Sequence, residues 1–349
     1  MSWFRDALAD LPEPDADAAT AVAERARTVL RPVGALQQLD DVAVHIAAWH
    51  RTLRPAVTQP AVLVFAGDHG VTRAGVSAYP GEVTAAMLAA VRAGRATINA
   101  MARAVGALLD VYDVGVGVAT GDIRVEPAMT SARFDEVARI AASAVDAVVE
   151  RGADLLVVGE LGIGNTTVAA ALPAALLGGE PSSGVGRGAG VDDGGLVRKR
   201  AAVAAAVARI GAPADPIETM RELGGSELTA MAAAVLRARH RRLPVVLDGY
   251  VATAAVLPLH LALPGALDHC LAGHASAEPG HRRILDHLGM APLLDLGMRL
   301  GEGSGALAAV PLVRMACACV SEVPTFDEWF GDEWFGDDWF GDERGGEAP

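Results

Sequence analysis

The sequence has one lysine, three cysteines, 4% aromatic residues and no long unbroken apolar run. Each scarcity excludes something. Cys270, Cys317 and Cys319 are too few for a disulfide scaffold and are not spaced as a zinc site, so a reducing cytoplasm is the expected setting. Positive charge is also short, with 29 basic residues against 43 acidic ones and a formal net charge of −14. That balance argues against a nucleic-acid partner, which requires a basic stripe. The most apolar stretch, 250–266, is too short to span a bilayer comfortably and contains Pro258, His260 and Pro264. It reads as a buried core helix, and no membrane association is expected. The opening MSWFRDALADLPEPD places acids where a signal peptide has its apolar segment, so no targeting segment is expected.

What remains is an ordinary globular composition, 52% hydrophobic and 21% charged over 349 residues, long enough to bury a substantial core. Two asymmetries stand out within it. Residues 327–349 carry nine acids and one arginine, so −8 of the charge lies there and only −6 on the rest. The same 23 residues hold Trp329, Trp334, Trp339, Phe330, Phe335 and Phe340 in a five-residue repeat, DEWFG. A period of five matches neither a strand nor a helical face. The segment reads either as a disordered, solvated tail or as a docking motif for a protein partner. The second asymmetry is that 28 of the 29 basic residues are arginine, leaving Lys199 alone.

Short apolar runs alternate with helical patterns along the chain. Strands are expected at 61–66, 107–114, 154–158 and 243–247. Helices are expected at 15–28, 36–53, 85–105, 134–151 and 196–210. Buried strands alternating with helices imply an α/β fold, a Rossmann-like, doubly wound, mostly parallel sheet. One catalytic unit is expected over 1–326, with its α/β core at about 60–290 and a small helical subdomain from the terminal segments. In such sheets ligands sit beyond the carboxyl ends of the strands, where GDHG (67–70), GELGIGNTT (159–167) and Asp248-Gly249 fall.

These loops carry the chemistry. Gly162-Ile163-Gly164-Asn165-Thr166-Thr167 follows a strand and opens a helix, a natural phosphate cradle, although the same residues also serve as tight turns and caps. Lys199 follows the glycine-rich segment 184–190. It is either a phosphate contact converging on that loop or a surface lysine. Glu160 ends a buried strand, and Glu302 lies between glycines after an apolar stretch. A glutamate in such a setting is either a general base of raised proton affinity or a helix cap. Asp68-His69 and the segment from His274 through Glu278 to His281 read as loop hydrogen-bonding groups, and no metal is assigned.

Together FAGDHGV (65–71), GVSAYPGEVT (75–84), GELGIGNTT (159–167), GRGAGVDDGGLVRKR (186–200), PVVLDGY (244–250), HASAEPGH (274–281) and LLDLGMRLGEGSGA (293–306) resemble the nicotinate-nucleotide–dimethylbenzimidazole phosphoribosyltransferase family of cobalamin nucleotide-loop assembly. The resemblance implies a Rossmann-like domain, a small helical domain and a homodimer, without a cofactor. It implies transfer of phosphoribose from nicotinate mononucleotide to 5,6-dimethylbenzimidazole, with α-ribazole 5′-phosphate and nicotinate as products. By the same resemblance Glu302 is the catalytic base, and Glu160 is placed to stabilise an oxocarbenium-like transition state. Gly162, Gly164, Asn165, Thr166, Thr167, Gly186, Gly188 and Lys199 fall in the segments that hold the nucleotide phosphate. Ser77, Tyr79, Ala86, Leu161, Met298 and Leu300 fall on the acceptor-base side. Ala86 replaces the family's usual glutamine, which would change the base accepted, and residues 120–125 depart from the usual GTxNF. Three functions are therefore open: this transferase, the same chemistry on another acceptor (adenine, another benzimidazole or a phenol), and a non-catalytic nucleotide-binding scaffold.

Overall fold

The computed structural model describes residues 2–212 and 215–331. The chain divides into a large unit, residues 1–14 and 57–312, and a small unit, residues 15–56 and 313–349.

Six strands form the sheet of the large unit: β1 (Pro60–Ala66), β2 (Leu108–Asp113), β3 (Leu155–Leu161), β4 (Val245–Leu247), β5 (Cys270–His274) and β6 (Pro292–Leu294). Their spatial order is β2-β1-β3-β4-β5-β6, and every pairing is parallel. β1, β3 and β4 are buried along their whole length. That is why PAVLVFA and LLVV are continuous apolar runs: helices cover both faces of a central parallel strand. β2 lies at the edge, is half-buried, and alternates Asp110 and Tyr112 with apolar residues. From β1 the chain proceeds to β2 on one side and then to β3 on the other. This reversal opens a crevice at the carboxyl ends of β1 and β3, where Ala66 and Leu161 are in register.

Expected and observed elements agree best where the apolar runs are long. β5, β6 and the helix Ser226–His240 are additions to the elements expected from sequence. β6 has three residues, and β5 includes a glycine, so neither displays a strand period. The helix expected over 85–105 is two helices, Val83–Arg92 and Thr97–Val105. Gly94 adopts φ +73°, and the Asn99 side chain accepts the Ala96 N–H at 2.9 Å while donating to the Val91 carbonyl at 3.0 Å. Asn99 thus ends one helix and starts the next, and this break sets the position of the Ile98 amide.

In the small unit, Asp15 caps the helix Ala16–Thr28 by accepting the Ala18 N–H at 2.9 Å. Arg25 of that helix donates to the Val320 and Val323 carbonyls at 2.9 and 3.0 Å and forks onto both Glu328 carboxylate oxygens. Thr325 and Glu328 form a capping box for the helix Phe326–Phe330. The first DEWFG repeat is therefore helical through Phe330, a correction to the expectation of a disordered tail from residue 327: the cap and the Arg25 fork satisfy its first turn. The remaining repeats, 332–349, lie outside the described residues. The helix Ser304–Ser321 is long and apolar enough to cross a membrane by length and composition, but 56% of it is buried inside the protein.

Candidate active site

All of the candidate site lies in the large unit. A cavity of about 480 Å³ opens beyond the carboxyl ends of β1, β3, β4 and β5, and Glu160, Glu302, Asp248 and His274 contribute to its lining. Glu160 is the second-last residue of β3, and its carboxylate accepts from the Asn165 side-chain amide at the start of the helix Asn165–Leu177. Glu302 crosses directly above. Its N–H donates to the Glu160 carbonyl at 3.3 Å, and it holds φ +62°, a left-handed conformation that costs a side-chain-bearing residue about 1–2 kcal/mol. A Cβ on Gly159 would lie 2.4 Å from the Glu302 carbonyl carbon, so glycine there permits the crossing.

Burial raises the proton affinity of both glutamates. For Glu160 the rise is large, because the charges of Asp248, Glu227 and Glu302 add to the effect of burial. For Glu302 burial dominates, Asp248 adds to it, and a hydrogen bond from the Ile98 N–H partly opposes it. Glu302 Oε2 has no partner. Asp248, at the end of β4, accepts the Ala306 N–H at 2.9 Å and lies 3.6 Å from His274 Nε2; burial raises its proton affinity too, against the pull of His274. His281 accepts the Ser276 N–H through Nδ1, and burial beside His274 pushes its pKa down to about 3.

The turn Gly162–Thr166 and residues 187–189 of the glycine loop 184–190 complete this part of the lining. Four side chains tie that loop down. Tyr250 donates to the Gly184 carbonyl at 3.1 Å, Lys199 to Gly186 at 3.0 Å and Arg299 to Gly188 at 3.1 Å, while Glu278 accepts the Gly188 N–H at 3.0 Å. Lys199 is 1% exposed and donates to Thr166 Oγ1 at 2.7 Å. Burial lowers its pKa to about 8, against the attraction of Glu278.

With this geometry in view, the comparisons with known proteins decide the family. A phosphoribosyltransferase family model matches residues 11–329. The chain belongs to the phosphoribosyltransferase family. Nicotinate-nucleotide–dimethylbenzimidazole phosphoribosyltransferase of Novosphingobium aromaticivorans is 50% identical over 328 residues, 93% of this chain and 96% of the relative. The protein of the same name from a Ruegeria species is 48% identical, covering 94% of this chain and 96% of that one. The crystal structure of CobT from Thermus thermophilus superposes with a TM-score of 0.86 at 42% identity, covering 89% of this chain and 98% of that one.

Within this phosphoribosyltransferase the structure gathers most of the residues singled out from sequence. Glu160, Glu302, Gly162, Gly164, Asn165, Thr166, Gly188, Ser77, Tyr79, Leu161 and Leu300 line the cavity. Thr167, Gly186 and Lys199 lie behind the lining rather than on it. Ala86 is exposed and off the lining, while Val83 and Met87 of the same helix reach it; lying three residues after Val83, Ala86 borders that face. Met298 also stays off the lining, while its neighbours Arg299 and Leu300 reach it. Residues 120–125 lie outside the cavity, packed behind the 68–71 loop, where a Cβ on Gly70 would meet the Thr120 carbonyl oxygen at 2.4 Å.

Asp248, Tyr250, His274, Ser276, Glu278, Arg187 and Arg299 were not singled out as site residues, yet all line the cavity of this phosphoribosyltransferase. For Asp248 the signal was present, an acid immediately after a buried strand. His69 pairs with Glu227, both fully buried beneath the Gly162 turn. Among the described residues no group of three or more His, Cys, Asp or Glu side chains is arranged to hold a metal.

Proposed function

We propose that the protein transfers phosphoribose from nicotinate mononucleotide to 5,6-dimethylbenzimidazole, giving α-ribazole 5′-phosphate and nicotinate. The observation that carries this reading is that one cavity is lined by the paired Glu160 and Glu302 together with a helix start and a glycine loop. A mononucleotide fits such a cavity, with its phosphate at the helix start after the Gly162–Gly164 turn and its ribose C1 near the carboxylates.

Glu302 is suited to the role of base. The Ile98 N–H fixes its carboxylate, Oε2 stays unpartnered, and burial raises its affinity for a proton. It removes the benzimidazole N–H proton, and the other ring nitrogen attacks C1 from the face opposite nicotinate, inverting the β linkage to α. Nicotinate departs with the C–N bonding pair and so loses its pyridinium charge. Glu160 faces the positive charge that develops on the ribose, and its ionised form is favoured there as that charge grows. Val83, Met87, Leu161 and Leu300 supply apolar wall for the acceptor.

The apolar wall of Val83, Met87, Leu161 and Leu300 supports a benzimidazole-type acceptor, while Ala86, three residues after Val83 on the same helix, stands where the resemblance expects a longer polar side chain. A competition assay with dimethylbenzimidazole, adenine, unsubstituted benzimidazole and phenol in one mixture tests this; dominant transfer to adenine or phenol would replace the reading. We further propose a homodimer, on the family resemblance. Cytoplasmic residence is supported by cysteine usage, three residues that are too few for a disulfide scaffold.

A further inference from the structure

We infer that Thr166, not Lys199, is the side chain that meets the nucleotide phosphate, and that Lys199 acts through it by forcing the threonine hydroxyl to donate. This deepens the phosphoribosyltransferase reading and rests on it for the identity of the ligand.

The argument is one of donors and acceptors. A lysine ammonium has three N–H donors and no acceptor. Lys199 Nζ lies 2.7 Å from Thr166 Oγ1 and 3.0 Å from the Gly186 carbonyl oxygen, so Oγ1 must accept. The single Thr166 proton must then point elsewhere, and among the described residues no protein acceptor takes it. Thr166 lines the cavity; Lys199 does not, and is 1% exposed. Gly188 closes over the pair. At φ +54° it brings its Cα so near that a Cβ would sit 2.6 Å from Thr166 Oγ1 and 3.1 Å from Lys199 Nζ. The hydroxyl's one proton is thereby left to donate into the cavity, polarised by a buried cation. It suits an acceptor-only group such as a phosphoryl oxygen.

Lys199 faces neutral groups from two sides, the Thr166 hydroxyl from the helix after β3 and the Gly186 carbonyl from the glycine loop. From the β5 side it faces the Glu278 carboxylate, which favours its charged form. With a pKa of about 8, the free protein loses the ammonium as pH rises. A neutral amine can accept, the Thr166 proton turns toward it, and the donor to the phosphate is withdrawn.

The test combines calorimetric binding of nicotinate mononucleotide with steady-state kinetics for wild type, Thr166→Val, Thr166→Ser, Lys199→Met and the Val/Met double variant. Thr166→Val is expected to weaken mononucleotide binding by about 10- to 100-fold, as for loss of a hydrogen bond to a charged group. Thr166→Ser keeps the hydroxyl and is expected within about threefold of wild type on the same scale. The double variant should bind no worse than the weaker single one, because both substitutions break one path. Wild-type binding should fall above about pH 8, and Thr166→Val should flatten that decline. Additive losses, or a full alkaline decline in Thr166→Val, would show direct contact by Lys199 and overturn the inference. So would wild-type binding by a folded Thr166→Val. Failure of the function itself reads separately, as mononucleotide binding by wild type without release of nicotinate.

Discussion

The N–H of Glu302 donates to the carbonyl oxygen of Glu160 at 3.3 Å, so the two carboxylates at the cavity floor are registered to each other by a main-chain contact. Neither position is set by its own side chain alone. β3 fixes Glu160, and the crossing of residues 301–303 over Gly159 fixes Glu302 relative to it.

Replacing the base tests its chemistry without disturbing that frame. Glu302→Gln keeps the shape and the acceptor for the Ile98 N–H but cannot take a proton. Turnover is expected to drop by about 10²- to 10⁴-fold, the usual contribution of a positioned general base, with the melting temperature held or raised. Steady-state rates beside a thermal melt decide it; wild-type turnover would remove Glu302 from the role.

Glu160→Gln separates stability from activity. The folded protein raises the proton affinity of Glu160 above its unfolded value. Such a group stabilises the fold fully at pH below its unfolded pKa, and that contribution is lost as pH rises through the folded one. At neutral pH a charged Glu160 therefore opposes folding. The variant is expected to melt higher than wild type at pH 8, with a smaller gain at pH 5, and to lose transfer activity. A lower melting temperature at pH 8 would contradict this account.

Gly159→Ala places a Cβ 2.4 Å from the Glu302 carbonyl carbon. The loop 301–303 must then lift from β3, at a cost of about 1–3 kcal/mol typical of overpacking. Activity should suffer more than stability, because the shift moves the base. Retention of full activity in a stable Gly159→Ala protein would mean that the close crossing does not set the base.

In the small unit, Arg25 holds Glu328 so well that the carboxyl pKa is pushed down to about 2 by the guanidinium and the Thr325 N–H. The contribution is present above the ordinary glutamate range and is lost only as pH falls toward that value. Arg25→Ala is expected to speed amide hydrogen exchange over Phe326–Phe330 at pH 7. Unchanged exchange there would leave the capping box alone as the helix's support.

Much of this was legible in the sequence because the fold is written in long apolar runs. β1 and β3 are buried on both faces, so they cannot hide, and the loops after them carried Glu160 and the 162–167 turn in plain view. Glu302 was visible because three glycines around one acid are unusual. The residues that escaped sit on short elements. Asp248 and His274 lie at the ends of strands of three and five residues, and their role depends on pairings far along the chain. Lys199 was noticed for its rarity, but its partners became visible only when the glycine loop folded over Thr166.

The central claim is tested most directly by incubating the purified protein with nicotinate mononucleotide and 5,6-dimethylbenzimidazole and reading the products by NMR. The account predicts one nicotinate released for each ribazole 5′-phosphate formed, with the new linkage in the α configuration. A β-linked product, nicotinate released without a ribazole, or binding of both substrates with no reaction would contradict it.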